Sequence, residues 1–167
     1  MRKASRKHFR GSYIVGLTLT GLVLAAGSHP ARYLFAQGGA RINGAAISKV
    51  GRDTRKLTVT AQAPAGSSGA SGTIQFIHNS PTGLSRFRGT ITCLSVNGGV
   101  AQISGAIEKG ETATGALLDG KAYAFTINTG SPQSFSLPTV GEPSAVGPCS
   151  GGSSQTVAVT EDGFRLQ

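Results

Sequence analysis

Histidine, cysteine and carboxylate positions decide which chemistry a chain can perform, and here they are few. The 167 residues hold three histidines, two cysteines and seven acidic residues. His8 and His29 fall in an N-terminal stretch treated below, which leaves His78 as the one imidazole in the remaining chain. A zinc site normally draws three or four His, Cys or carboxylate ligands, and His78 has neither a second histidine nor a spaced thiol pair to join it. A Ser-His-Asp triad can be drawn from His78 with Ser80 or Ser85 and Asp53 or Asp119, but no nucleophile-elbow glycine pattern surrounds either serine. His78 reads more simply as a strand-end residue beside a turn. Glu108 with Glu111, and Glu161 with Asp162, are the close carboxylate pairs, and they fall in turn-like sequence where solvated charge is the ordinary explanation. On these grounds no catalytic residue, cofactor or metal ligand is expected.

The start of the chain carries a different signal. Arg2, Lys3, Arg6, Lys7 and Arg10 precede an uncharged run from Gly11 to Ser28 that is mostly apolar from Tyr13 to Ala26 and closes on the small residues Ala25, Ala26 and Gly27. A basic head, a short apolar middle and small residues make a secretory signal, and the run is shorter than the roughly 20 apolar residues that span a bilayer. Residues 1–27 are therefore expected to be a signal peptide, with cleavage falling between 27 and 36. Residues 28–38 are expected to be a disordered mature N-terminus, and 39–167 a single β-rich domain. Ser5-Arg6-Lys7-His8-Phe9 resembles the twin-arginine export motif with Lys7 in place of the second arginine, and the general secretory route is the simpler reading. A membrane is then met only through an uncleaved signal segment, and the mature protein is expected to be secreted, at the cell surface or beyond it. Six of the sixteen basic residues and none of the acidic ones precede Gln37, so the remainder carries ten basic against seven acidic residues, a net of +3. The basic character is mostly a targeting feature, and no nucleic-acid partner follows from it. Arg52, Arg55 and Lys56, with Asp53 among them, read as a solvated loop or strand end rather than a polyanion site.

From residue 39 onward the pattern has period two. Leu57, Val59, Ala61 and Ala63 alternate with Thr58, Thr60 and Gln62, and Ile74, Phe76 and His78 alternate with Gln75 and Ile77. Such alternation with threonine enrichment indicates half-buried antiparallel strands. Further strands are expected near Ile42–Ser48, Ser85–Val96, Val100–Lys109, Lys121–Thr129, Gln155–Thr160 and Phe164–Leu166. The expected fold is all-β, a single antiparallel β-sandwich or small β-barrel of about eight strands. Glu108–Leu118 is the best helical candidate and fails on Gly110 and Gly115. Gly66–Gly72 lacks the following helix that a phosphate-cradling loop uses, and reads as a strand connection. A long Pro/Gly/Ser-rich loop is expected at 130–153. Large apolar residues are sparse, so the core is thin, and the even cysteine count in an exported chain predicts a Cys93–Cys149 disulfide.

One hairpin can be given a register. A two-residue turn at Asn97-Gly98 would set Ala101, Ile103 and Ile107 on the face of Arg88, Thr90 and Thr92. A three-residue loop, Asn97-Gly98-Gly99, instead pairs Val96 with Val100, sets Cys93 opposite Ile103 and Gly89 opposite Ile107, and gathers Phe87, Ile91 and Cys93 with Ala101, Ile103 and Ile107. Cys93 is then expected to point into the core. Leu94, Val96 and Val100 fall on the other face, by strand propensity or as a patch for a ligand or partner. Tyr123, Phe125 and Ile127 alternate as core residues.

The segment Gly89-Thr-Ile-Thr-Cys93-Leu-Ser-Val96-Asn-Gly-Gly-Val-Ala101-Gln-Ile103-Ser-Gly105 resembles a recurrent segment of small bacterial exported all-β proteins of unassigned function. Asn128-Thr129-Gly130-Ser131-Pro132 is similar to a D-x-G-x-P segment in those proteins, with Asn128 where an aspartate is common. The resemblance implies export and an all-β fold and supplies no catalytic residues. Three functions compete. The first is a non-catalytic exported binding or surface-interaction module whose partner the sequence does not name, an extracellular protein or an apolar small molecule being the candidates. The second is a small barrel carrying an apolar small molecule, which requires an interior cavity of roughly 300 Å³ lined by residues such as Phe76, Tyr123 and Phe125. The third is a secreted enzyme or enzyme inhibitor working through loop 130–153.

Overall fold

The computed structural model describes residues 39–67 and 69–167. The expected signal peptide, its cleavage point and the tail at 28–38 lie outside the described residues. Those residues form one antiparallel sheet curled into a half-barrel, with no helix among them. Its strands are β1 (Arg41–Val50), β2 (Asp53–Gln62), β3 (Gly69–Ser80), β4 (Gly83–Asn97), β5 (Val100–Glu111), β6 (Ala122–Asn128), β7 (Ser134–Ser136), β8 (Thr139–Gly141), β9 (Thr156–Ala158) and β10 (Glu161–Leu166). The count is ten rather than about eight, because the expected loop 130–153 contains the short strands β7 and β8. Their order is β10-β1-β2-β3-β4-β5-β6-β7-β9, with β8 paired to β6 beside β7.

Alternation directs the burial. Leu57, Val59 and Ala61 of β2 face inward while Lys56 and Thr60 are exposed, as a sheet with one dry face requires. The sheet's two ends are joined by the chain itself, because β9 pairs β7 and the next strand, β10, pairs β1. Val159 N donates to Gln133 O (3.0 Å) and Thr160 N to Ile47 O (2.8 Å) across this seam. The Gln133 amide binds Phe164 twice, donating to its carbonyl at 3.0 Å and accepting from its N–H at 2.8 Å. β9 and β10 remain the terminal strands of the sheet, each paired on one side only.

The concave side holds one apolar cluster that includes Ile42, Leu57, Phe76, Phe87, Ile91, Ile103, Tyr123, Phe125 and Phe164. Phe76, Phe87, Tyr123 and Phe125 lie ring against ring at centroid separations of 5.4 to 6.2 Å. Tyr123 pairs with Gly105, and its hydroxyl donates to the Thr90 carbonyl at 2.8 Å. A Cβ on Gly105 would stand 1.9 Å from that carbonyl oxygen and 2.9 Å from the Tyr123 hydroxyl, so only glycine lets the phenol cross β5 to reach β4. Burial pushes the Tyr123 phenol well above its ordinary range, and the nearby Glu108 carboxylate adds to the rise.

The β4–β5 hairpin differs from its expected register. The turn is Gly98-Gly99, both glycines at positive φ (56° and 85°), with Asn97 paired to Val100 and Val96 to Ala101. Two positive-φ residues match the right-handed twist of the flanking strands, which favours this shorter turn over a three-residue loop. Thr92 is then an extra residue: Ile91 pairs with Gly105 and Cys93 with Ser104. This bulge restores the Gly89–Ile107 pairing, and Phe87, Ile91, Ile103 and Ile107 are buried as expected, with Arg88 and Thr92 exposed. Beyond the bulge the faces exchange. Leu94, paired with Ile103, enters the core at 1% exposure, whereas Cys93 lies beside Ser104 on the opposite, outer face, outside the core cluster. The inward Cys93 and the outward Leu94 and Val96 are both corrected by the same extra residue.

Deleting Thr92 removes the bulge without exchanging faces, so the variant is expected to fold and to keep Cys93 bonded to Cys149; deleting Thr90 reverses the Ile91 side and is expected to give a poorly folded protein. Thiol alkylation followed by intact mass separates the two outcomes. An alkaline melt tests Tyr123. An unfolded chain releases the phenol proton near pH 10, while the folded protein retains it, so above that pH the unfolded state binds fewer protons and stability falls as pH rises. Tyr123→Phe is expected to flatten the loss of stability between about pH 9 and pH 11 relative to the parent, as read from denaturant midpoints.

Candidate functional site

Three places on the domain concentrate polar or covalent chemistry. The first is the outer face of β4–β6. Cys93 and Cys149 are joined there in a disulfide with Cα atoms 5.2 Å apart. The segment 142–153 lies over this face, with Cys149 N donating to Ser104 Oγ (2.9 Å) and Gly152 N to Thr126 Oγ1 (3.1 Å). Val146 packs on the outward Ala122 and Ala124 as a second small cluster. Small residues on β6 let the segment sit close, and Ser136 Oγ accepts from Thr126 N (2.9 Å) beneath it. The expected loop is thus pinned against the sheet. Asn128, in the segment resembling D-x-G-x-P, accepts from Gly130 N at 2.9 Å and shapes a turn.

The second place is an outer-face groove of about 420 Å³ across β3, β4 and β5, lined by Gln75, Arg86, Arg88, Lys109, Glu111 and the exposed Leu117, among others. Arg88 pairs with Gln75 on one side and Lys109 on the other. Two cations directly opposite each other repel. Arg86 is matched by Glu111 at 2.9 Å, but Arg88 and Lys109 have no ionic or hydrogen-bonded partner among the described residues. Asp119, at the groove's rim, is engaged in accepting from Gly110 N at 2.8 Å. A second outer groove, of about 430 Å³, is lined by Arg41, Asn43, Thr60, Gln62 and Ser71.

The third place is the end of the concave face where β1 turns into β2 and β3 into β4. Arg55 pairs with His78 across strands, and Arg55 Nη2 meets Asp53 Oδ2 at 2.7 Å. His78 Nε2 is 3.5 Å from the same oxygen, beyond good hydrogen-bond length. Of the residues from which a triad could be drawn, the structure brings His78 beside Asp53 and pairs it across strands with Ser85, with His78 Nε2 hydrogen-bonded to neither. Ser80 is engaged in the β3–β4 turn with Thr82 and the Gly83 carbonyl, and Ser85 accepts from Ala113 N. Arg52 is exposed, whereas Arg55 is largely covered, so the basic cluster read as a solvated strand end is divided by strand parity. Ser48, wholly buried and paired with Arg55, was not singled out by sequence. Its alternation with Ala46 was the available signal. The Arg88–Lys109 apposition had none, because it depends on Glu108 bulging from β5.

The remaining carboxylates are spread out: Glu161 pairs with Lys49 and Glu142 with Lys121, both at the surface. No group of three or more His, Cys, Asp or Glu able to hold a metal occurs among the described residues. In comparisons with known proteins, no family model, no curated protein and no solved structure matches the chain.

The disulfide closes a separation of 56 residues, and Cys93→Ala/Cys149→Ala is expected to cost about 4 kcal/mol in denaturant melts on the chain-entropy model. Hydrogen exchange on the folded variant is expected to rise first in residues 142–153, whose other ties are a few single hydrogen bonds.

Proposed function

We propose that this chain is exported and that its β domain is a non-catalytic binding module, whose outer groove on β3–β5 takes an acidic segment of an extracellular protein. The observation that carries the reading is the Arg88–Lys109 pair: two cations face each other across a strand pair with no carboxylate between them. Such an arrangement is unfavourable in the free protein and becomes favourable when an anionic partner enters. Gln75 and Leu117 at the same groove add a hydrogen-bonding group and an apolar contact.

One observation counts against the carrier alternative. The rings of Phe76, Tyr123 and Phe125, which a carrier would need around its ligand, are packed on one another, and none of them lines either groove. Segment 142–153 is tied against the sheet by the disulfide and by Ser104 and Thr126, which supplies the rigidity an inhibitor loop needs and does not count against that reading. The disulfide is compatible with an oxidising compartment outside the cytoplasm.

The test uses a fluorescent hexaglutamate peptide and the exported protein, followed by anisotropy. Binding is expected to weaken with added salt, and Arg88→Glu/Lys109→Glu is expected to lower affinity by about tenfold or more. Arg165→Glu, a charge reversal on the distant strand β10, should have little effect. Equal losses from the groove and the Arg165 variants would mean that only net charge is sensed and would sink the groove reading.

A further inference from the structure

The register aligns Ser48, Arg55, His78 and Ser85 on four neighbouring strands, on the concave face of the sheet. The adjacent row inward is Ala46, Leu57, Phe76 and Phe87, all buried and apolar. The polar row therefore rests on a dry floor, where an unsatisfied donor is costly because no water replaces its partner. Ser85 is satisfied by Ala113 N. The other three present Ser48 Oγ, Arg55 Nε and His78 Nε2, all buried and all without a hydrogen-bond partner. One such orphan is tolerable in a native protein. Three on adjacent strands, about 4.8 Å apart from one strand to the next, call for a common occupant.

The chemistry of the three atoms states what that occupant is. Arg55 Nε can only donate. His78 Nε2 is a donor in its Nε2–H tautomer, and at 3.5 Å the Asp53 carboxylate is too far to satisfy it. Ser48 adds a hydroxyl that can turn its proton toward the same point. Asp53 is held by Arg55 Nη2, on the other limb of the guanidinium, so its charge does not satisfy Nε. We infer that Ser48 Oγ, Arg55 Nε and His78 Nε2 form a binding site for a small monovalent anion, of chloride or formate size, at this end of the curled sheet. A guanidinium, an imidazole N–H and a hydroxyl on one face of three adjacent strands suit an acceptor-only ligand. Water is the competing occupant, with Ser48 Oγ and Asp53 Oδ2 as acceptors for its protons. The complete burial of Ser48 limits the occupant to a few heavy atoms. The site is on the inner face and is independent of the groove holding Arg88 and Lys109.

The experiment measures melting of the exported protein in sodium chloride, bromide or formate against sodium gluconate at equal ionic strength, together with anomalous diffraction from crystals grown in bromide. The melting temperature is expected to rise saturably with the three small anions and not with gluconate, and a bromide peak is expected between Ser48 Oγ and Arg55 Nε. Ser48→Ala removes one donor without burying a charge and should fold. It is expected to raise the half-saturating anion concentration about tenfold, the equivalent of one hydrogen bond to a charged group. Arg55→Gln, where it folds, should abolish the anion response. Melting that is indifferent to anion identity, with only water in the density at this position, would overturn the proposal. So would an anion response that Ser48→Ala leaves unchanged.

Discussion

The side that each residue of β4 takes is set where its ladder with β5 is interrupted. Because Thr92 bulges out of the ladder, Ile91 and Leu94 both face the core and Cys93 faces away from it. A regular strand would place Ile91 and Cys93 on the same side and leave Leu94 outside. The bulge also adds local twist, which a sheet needs in order to curl, and Glu108 makes a second such point in β5.

From that exchange of faces follows a division of labour. The concave side receives the large side chains, and the glycine at 105 lets Tyr123 lie across β5 and tie it to Thr90. The convex side of β5 and β6 carries Ser104, Ala106, Ala122 and Ala124, too small to form a core alone. Covering it is the task of segment 142–153, and the Cys93–Cys149 bond compensates for the little apolar area that Val146 supplies. A thin core and a covalent tie are two aspects of one solution, common where a chain lacks large apolar residues.

Charge is distributed by the same parity. Arg55 and His78 point inward at one end, where they and Ser48 meet the apolar floor, whereas Arg88 and Lys109 point outward into a groove. Both places contain donors in excess of acceptors, but their surroundings differ. The inner one lies beside the buried row Ala46, Leu57, Phe76 and Phe87, whereas the outer one is an open groove that also holds Glu111 and Asp119.

Much of this was legible in the residues. Period-two alternation over 57–63 and 74–78 located β2 and β3, the Tyr123-Phe125-Ile127 series was assigned to the core, and the two cysteines announced their bond. These features are local, or follow from composition, so a linear reading can recover them. The short strands β7 and β8 were not recovered, since three residues are too few to display a period. Nor were the side taken by Cys93 and the company kept by Ser48 and Lys109. A bulge has no residue signature of its own: Thr92 is as ordinary in a regular strand as in an interrupted one, and two glycines after Asn97 permit either turn. The choice was made when Leu94 gained Ile103 as a partner in the core and Cys93 came within reach of Cys149. Those contacts join parts of the chain far apart in sequence, and only the curled sheet brings them together.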